Sequence, residues 1–173
     1  MMSLSAVFWM MLIMFGVIGG FRGWAKEILV TFSMLLALFL TFVLEKYVTS
    51  VRDALNLQPG GAQVVIRGVL LLALAYFGYQ TPGLPAQFTS KLARDKLQDW
   101  MLGAVLGIIN GYFIVGSLWY YIHNAGYPLP YITPPADPNV LNYISYLPPK
   151  LLGEPYIYFA IGAAFVFVII VFV

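Results

Sequence analysis

The sequence predicts an all-α integral membrane protein, with about five transmembrane helices and short interfacial amphipathic helices between them. Three observations predict it. Hydrophobic residues make up 61% of the 173-residue chain and charged residues only 9%, against about 25% charged in a soluble domain. Mean hydropathy is +0.86. The apolar residues also fall in long runs near the ~17 to 25 residues that a helix needs to cross a bilayer. So few charges cannot cover a water-facing surface, so most of the outside faces lipid or other protein.

Residues 4–20 read as the first span. Met1 to Ala6 carries no lysine or arginine and no small-residue cleavage site follows, so the segment reads as a retained helix, not a cleaved signal. Residues 28–44 give a second span with no charge inside. Only a few residues separate the two, which predicts a tight antiparallel hairpin. Residues 45–57 read as a short surface helix, with Val48, Val51 and Leu55 on one face and Lys46, Arg52 and Asp53 elsewhere. Pro59-Gly60-Gly61 stops it.

Residues 64–79 form a short third span. Arg67 lies in its first turn, from where a long side chain snorkels to the headgroups. Pro82 and Pro85 break the chain. Residues 87–100 then read as an amphipathic interfacial helix, with Phe88, Leu92 and Leu97 toward the bilayer and Lys91, Arg94, Asp95, Lys96 and Asp99 on a wet face. It feeds a fourth span at residues 100–122. The connection that follows carries eight prolines through Pro155, with Tyr127, Tyr131, Tyr143 and Tyr146. That composition suggests a semi-rigid cap on the headgroups. Asp137-Pro138 signals a helix start, as N-cap and first helical residue, and Pro148-Pro149 a stop. Glu154-Pro155 repeats the start signal and opens a fifth span at residues 155–173.

One side of the bilayer collects Arg22, Lys26, Lys91, Arg94 and Lys96; the other collects Lys46, Arg52, Arg67 and Lys150. The positive-inside rule then places the N-terminus outside and the C-terminus in the cytoplasm.

Small residues at spacing four let membrane helices approach closely. Gly16 and Gly20 form one such pair, Gly19 and Gly23 another, and Gly103, Gly107 and Gly111 a run of three. The first reading is helix packing by spans one and four; the sharper one is a helix pair that slides or opens a path. The two runs match at a fixed offset, as in an inverted repeat, but only in a few identities, and chance similarity between two glycine-rich helices is the preferred reading. Arg22 and Lys26 are four apart and Glu27 opens the second span. They read as a headgroup anchor with a local ion pair, or else as a site for an anionic group. Asn110 is polar inside the fourth span and reads as a hydrogen bond across a helix interface, with a substrate contact as the second reading. No ionisable residue sits near the middle of a span, which counts against a proton-coupled pump.

The inventory for other chemistry is short. Cysteine is absent and histidine occurs once, so no disulfide, thiol catalyst, zinc site or Ser-His pair can be assembled. His123 ends the fourth span beside Trp119, Tyr120 and Tyr121. It reads as an interfacial belt residue, and only secondarily as a ligand to the metal of a pigment or haem. The net charge of +2 gives no electrostatic footprint for nucleic acid. The sequence thus predicts no enzyme, no catalytic residues, no cofactor and no metal.

Gly19-Gly20-Phe21-Arg22-Gly23 followed by Lys26-Glu27 resembles the first hallmark of the colicin V production protein (CvpA) family, a glycine-rich end of span one leading straight into an apolar second span. Asp99 with Leu102-Gly103, Gly107 and Gly111 resembles the second hallmark, an acidic residue before a helix with glycine at every fourth position. The resemblance covers about residues 4–122. It departs at Asn110, where the family usually carries a basic residue, and in the added C-terminal span. The chain accordingly divides into a four-span core (1–122), a Pro/Tyr-rich interfacial connection (123–154) and a fifth span (155–173), within one membrane domain. The resemblance implies a bacterial inner-membrane protein linked to export and envelope homeostasis. The expected role is an accessory or assembly subunit that packs against other integral membrane proteins in the lipid bilayer. The alternatives are a homo-oligomer and a small transporter or channel component.

Overall fold

The computed structural model describes residues 4–80, 95–135 and 137–172, and all regular structure among them is helical. The helices are α1 (Leu4–Arg22), α2 (Trp24–Tyr47), α3 (Thr49–Asn56), α4 (Gly60–Tyr79), α5 (Lys96–Asn124), α6 (Pro138–Asn142), α7 (Pro148–Leu151) and α8 (Tyr156–Phe172). Four of them, α1, α2, α4 and α5, are long and apolar enough to cross a membrane. The fifth expected span is shorter. With 17 residues, α8 reaches about 25 Å, a few Å less than a hydrocarbon core of about 30 Å. Phe88, Lys91, Leu92 and Arg94 of the expected interfacial helix, and the breakers Pro82 and Pro85, lie outside the described residues.

Two local expectations change in the proline-rich connection. Asp137 caps α6, its Oδ1 accepting the Asn139 N–H at 2.8 Å. The helical path then tightens into a 3₁₀ turn, Tyr143–Tyr146. Pro148-Pro149 starts α7 instead of ending a helix, because a proline at the first helical position gives up an N–H that has no partner there anyway. Helix α8 begins at Tyr156, one residue past Pro155.

The core surrounds α2. Its inward residues Val30, Met34, Ala37 and Leu38 meet Val64, Leu71 and Ala75 of α4, Ile114, Tyr121 and Ile122 of α5, and Ile157 of α8. A second cluster joins Phe8 and Leu12 of α1 to Trp119, Ile144 and Leu147. Trp119 is thus a core residue, edge-on to Phe8 at 5.4 Å between ring centres, and not a member of an interfacial belt. The opposite faces expose Phe21, Val69, Phe77 and Ile170, as expected of helices whose solvent is lipid.

Helix α5 is not one uniform helix. It runs as α-helix through Gly111, widens into a π-helical turn over Tyr112–Gly116, and resumes as α-helix from Ser117. The wide turn shifts the angular register of everything after it.

Helix α1 packs on α5 and only lightly on α2, so spans one and two are not the closely packed hairpin that their short link suggests. Lipid gives little hydrophobic drive between helices, so close backbone approach must hold them together. A β-carbon on Gly19 would lie 2.7 Å from Gly107 Cα, and one on Gly107 would lie 3.0 Å from Gly19 Cα. Gly103 meets Gly23 across the same contact, Gly111 meets Phe15, Gly16 meets Ile108 and Gly20 meets Trp100. The glycine faces are therefore filled within the chain.

Gly107→Leu is expected to abolish α1–α5 packing and lower stability by at least the ~1–3 kcal/mol of an overpacked core. Gly162→Ala on α8, where nothing lies within 4 Å, is expected to be harmless. Thermal unfolding of both variants in detergent checks this; equal melting of Gly107→Leu and the parent would refute the contact.

Candidate functional site

The functional candidates converge where α1 ends and α2 begins. A single residue, Gly23, separates the two helices, and its φ of 84° lies in the left-handed region that glycine alone enters freely. A helix that starts so abruptly leaves N–H groups without intrahelical partners. Asp99 answers from α5: its Oδ1 accepts the Trp24 N–H at 3.1 Å. The residue read as part of a wet face is instead half-buried against the start of α2.

One turn into α2, Glu27 is completely buried. Its Oε2 accepts from Asn110 Nδ2 at 2.8 Å, and the same amide also donates to the Glu27 carbonyl at 3.0 Å. Thr31, the next residue up that face of α2, donates to Asn110 Oδ1 at 2.8 Å. Asn110 therefore uses both ends of its amide, as a fully buried amide must. Glu27 Oε1 receives no hydrogen bond but lies 3.3 Å from Arg22 Nε. Desolvating a carboxylate is costly, and a counter-ion beside it offsets that cost.

Arg22 is held from a third side. Its guanidinium carbon stands 4.3 Å from the centre of the Tyr79 ring, and Nη2 donates to the Tyr79 carbonyl at 3.4 Å. Tyr79 is the last residue of α4. The cation thus meets both a ring face and the negative end of a helix dipole. The Tyr79 hydroxyl is buried without a hydrogen-bond partner.

This arrangement corrects two expectations. Glu27 and Arg22 are not a headgroup anchor, because the carboxylate is sealed inside the bundle. Arg22 and Lys26 do not share a helix face, because Gly23 puts them on different helices and Lys26 is exposed. Glu27 itself lies one turn inside α2, and it is Asn110, halfway along the 29-residue α5, that reaches it. Asp99, Thr31 and Tyr79 were not singled out as partners. Only Asp99 carried a signal, as the acidic residue of the second glycine hallmark.

Chemically, the cluster is a neutral ion pair whose open valences are Glu27 Oε1 and the Tyr79 hydroxyl. It holds no nucleophile paired with a base. His123 is remote from it, half-buried near the far end of α5, with Nδ1 3.2 Å from the Tyr127 hydroxyl. Among the described residues no three His, Cys, Asp or Glu side chains gather as a metal site.

A family model, described as colicin V production protein, matches residues 4–133. That range takes in α1 to α5 and every member of the cluster. No curated protein and no solved structure matches the chain.

Arg22→Met is expected to cost about 3 kcal/mol, the low end for breaking a buried pair, since Arg22 keeps 21% of its side chain exposed. Adding Glu27→Met should restore much of that loss, because the uncompensated charge is gone. Unfolding midpoints of the two single variants and the double variant decide it; simple additivity would refute the pairing. Asn110→Leu should cost about 1–3 kcal/mol by stranding Glu27 Oε2 and Thr31, read by the same measurement.

Proposed function

The chain belongs to the colicin V production protein family, and from that premise we propose that it is a non-enzymatic accessory or assembly subunit of a larger bacterial membrane complex. It is a multi-pass membrane protein with four helices of spanning length among the described residues. The finer placement we propose is the bacterial inner membrane, with the N-terminus outside and the C-terminus in the cytoplasm. Its partners in this reading are other integral membrane proteins.

One observation carries the reading. The ionisable groups of α2 lie at its two ends, around Glu27 and around Glu45, and its buried residues between them are Val30, Met34, Ala37 and Leu38, all apolar. A conduit needs polar lining or water along its length to replace hydration. A scaffold needs the opposite: a sealed interior and apolar outer faces that other spans can cover. The filled α1–α5 glycine contact sharpens the point. The surfaces open to partners are the exposed apolar faces of α1, α4, α5 and α8, not the glycines.

A second reading, a small transporter or channel component acting in export or envelope homeostasis, is favoured by the Glu27–Arg22 pair. Ionisable groups inside spans commonly mark ion or substrate paths.

Native mass and subunit content after gentle extraction from the source membrane separate the two. An assembly well above the 19.3 kDa chain, with reproducible partners, is expected. A lone chain or homo-oligomer that conducts solute in liposomes would overturn the accessory reading. The Arg22→Met/Glu27→Met double variant adds a second arm: it should still assemble as a subunit, but it should lose flux as a transporter.

A further inference from the structure

On the outer side of α2, a groove of about 370 Å³ runs between α2, α4 and α8. That volume lies within the range of small-molecule sites, about 300–1,000 Å³. Its wall on α2 extends from Leu29 to Leu36 and its wall on α8 from Ile161 to Val168, so it follows both helices for about 10 Å. Phe32, in the α2 wall, meets Phe167 of α8 edge-on at 5.3 Å between ring centres, which holds the two helices together beside it. Ala164 is the buried part of the α8 wall, whereas the rim stands open: Leu36, Phe77 and Phe165 are 37%, 70% and 61% exposed.

The lining is apolar except for Ser33, whose hydroxyl donates to the Leu29 carbonyl at 3.0 Å. The groove therefore asks for no hydrogen bond from an occupant, and a polar one would be desolvated there at a cost. A helix of another chain fits it poorly. Close helix approach needs small residues, and the rim is built of leucine and phenylalanine. Gly78, the one glycine in the wall, is already used: a β-carbon on it would lie 2.7 Å from the Ser33 hydroxyl. A flexible hydrocarbon chain lies between bulky side chains where a helix backbone cannot approach. The medium around the spans is made of such chains.

A cation stands above the groove. Lys26 lies three residues before Leu29 and seven before Ser33, so the three share one side of α2. Side chains on a helix lean toward its N-terminus, which carries the ammonium away from the groove and outward. With 24 residues α2 is about 36 Å long, against a hydrocarbon core of about 30 Å, so its first turn reaches headgroup depth. Lys26 is exposed and makes no ion pair among the described residues, whereas Arg22 at the same end is taken by Glu27.

We propose that the groove holds one acyl chain of an anionic phospholipid, drawn from the leaflet on the Lys26 side, with the headgroup phosphate on the Lys26 ammonium. The groove supplies apolar burial, and Lys26 supplies the choice of headgroup. The proposal does not rest on the subunit reading.

The test uses the full chain, purified and delipidated in detergent. Phosphatidylglycerol and phosphatidylcholine with identical acyl chains are titrated in mixed micelles and read by native mass spectrometry. The parent is expected to retain one phosphatidylglycerol in preference to phosphatidylcholine. Lys26→Gln removes no described contact, so it should melt like the parent. It should bind phosphatidylglycerol about fivefold more weakly and leave phosphatidylcholine unchanged. Leu36→Trp, which fills the groove from a partly exposed position, should weaken both lipids. No retained lipid, or binding that neither variant weakens, overturns the proposal. Weakening by only one of the two variants overturns it as well, because groove and cation are proposed as one site. A dimer that excludes lipid and is broken by Leu36→Trp would give the groove to a second copy instead. Should Leu36→Trp melt early, Phe165→Ala, which removes an exposed wall of the groove, takes its place; unchanged lipid binding would overturn the site.

Discussion

A carboxylate with no exposed surface has to be given partners by the fold. Glu27 obtains them from two helices at once, Arg22 at the end of α1 and Asn110 in the middle of α5. Neither helix can shift by a turn without leaving a charge or an amide unsatisfied in a medium that supplies no water. That requirement fixes the rotation of α5, the direction in which α1 ends and the angular setting of α2. Tyr79 extends it to α4, because Arg22 rests on the ring and carbonyl that close that helix.

Electrostatic pairing sets register, but close backbone approach makes it geometrically available. Gly19 and Gly107 bring α1 and α5 within a distance that any β-carbon would prevent. Gly23 then reverses the chain in one residue, and Asp99 of α5 closes the start of α2. The two glycine-rich hallmarks, some eighty residues apart in the chain, are therefore one structural unit. Each supplies what the other lacks: the first gives the buried charge and the turn, the second gives the amide, the cap and the smooth helix surface.

The two ends of the bundle differ in what they leave open. Around Glu27 the polar atoms mostly satisfy one another, and the cluster is compact. Around Arg67 the ion pair to Glu45 is equally well formed, but a cavity of about 470 Å³ stands beside it. The apolar layer of Val30, Met34, Ala37 and Leu38 keeps these ends electrically separate. Whatever occupies one end reaches the other only through the packing of α2, α4 and α5, which carry residues of both ends.

The long apolar runs determined by themselves that this chain is helical and lies in a membrane, because a bilayer admits few other ways to satisfy a backbone. They placed four spans to within a few residues, and they placed the Asp137 cap, a strictly local signal. They could not pair the helices. Periodicity marks a face as apolar or small, but it does not say which helix covers it, so α1 against α5 was not readable from a one-residue link between α1 and α2. Nor could they show that Glu27 is buried: a charge one turn inside a helix reads as interfacial until its neighbours are known. The length of α8, the π-helical turn that re-aims α5, and the meeting of Glu27 with Asn110 and of Arg67 with Glu45 were decided by the tertiary structure. Each depends on contacts between residues far apart in the chain, and local propensity carries no record of those.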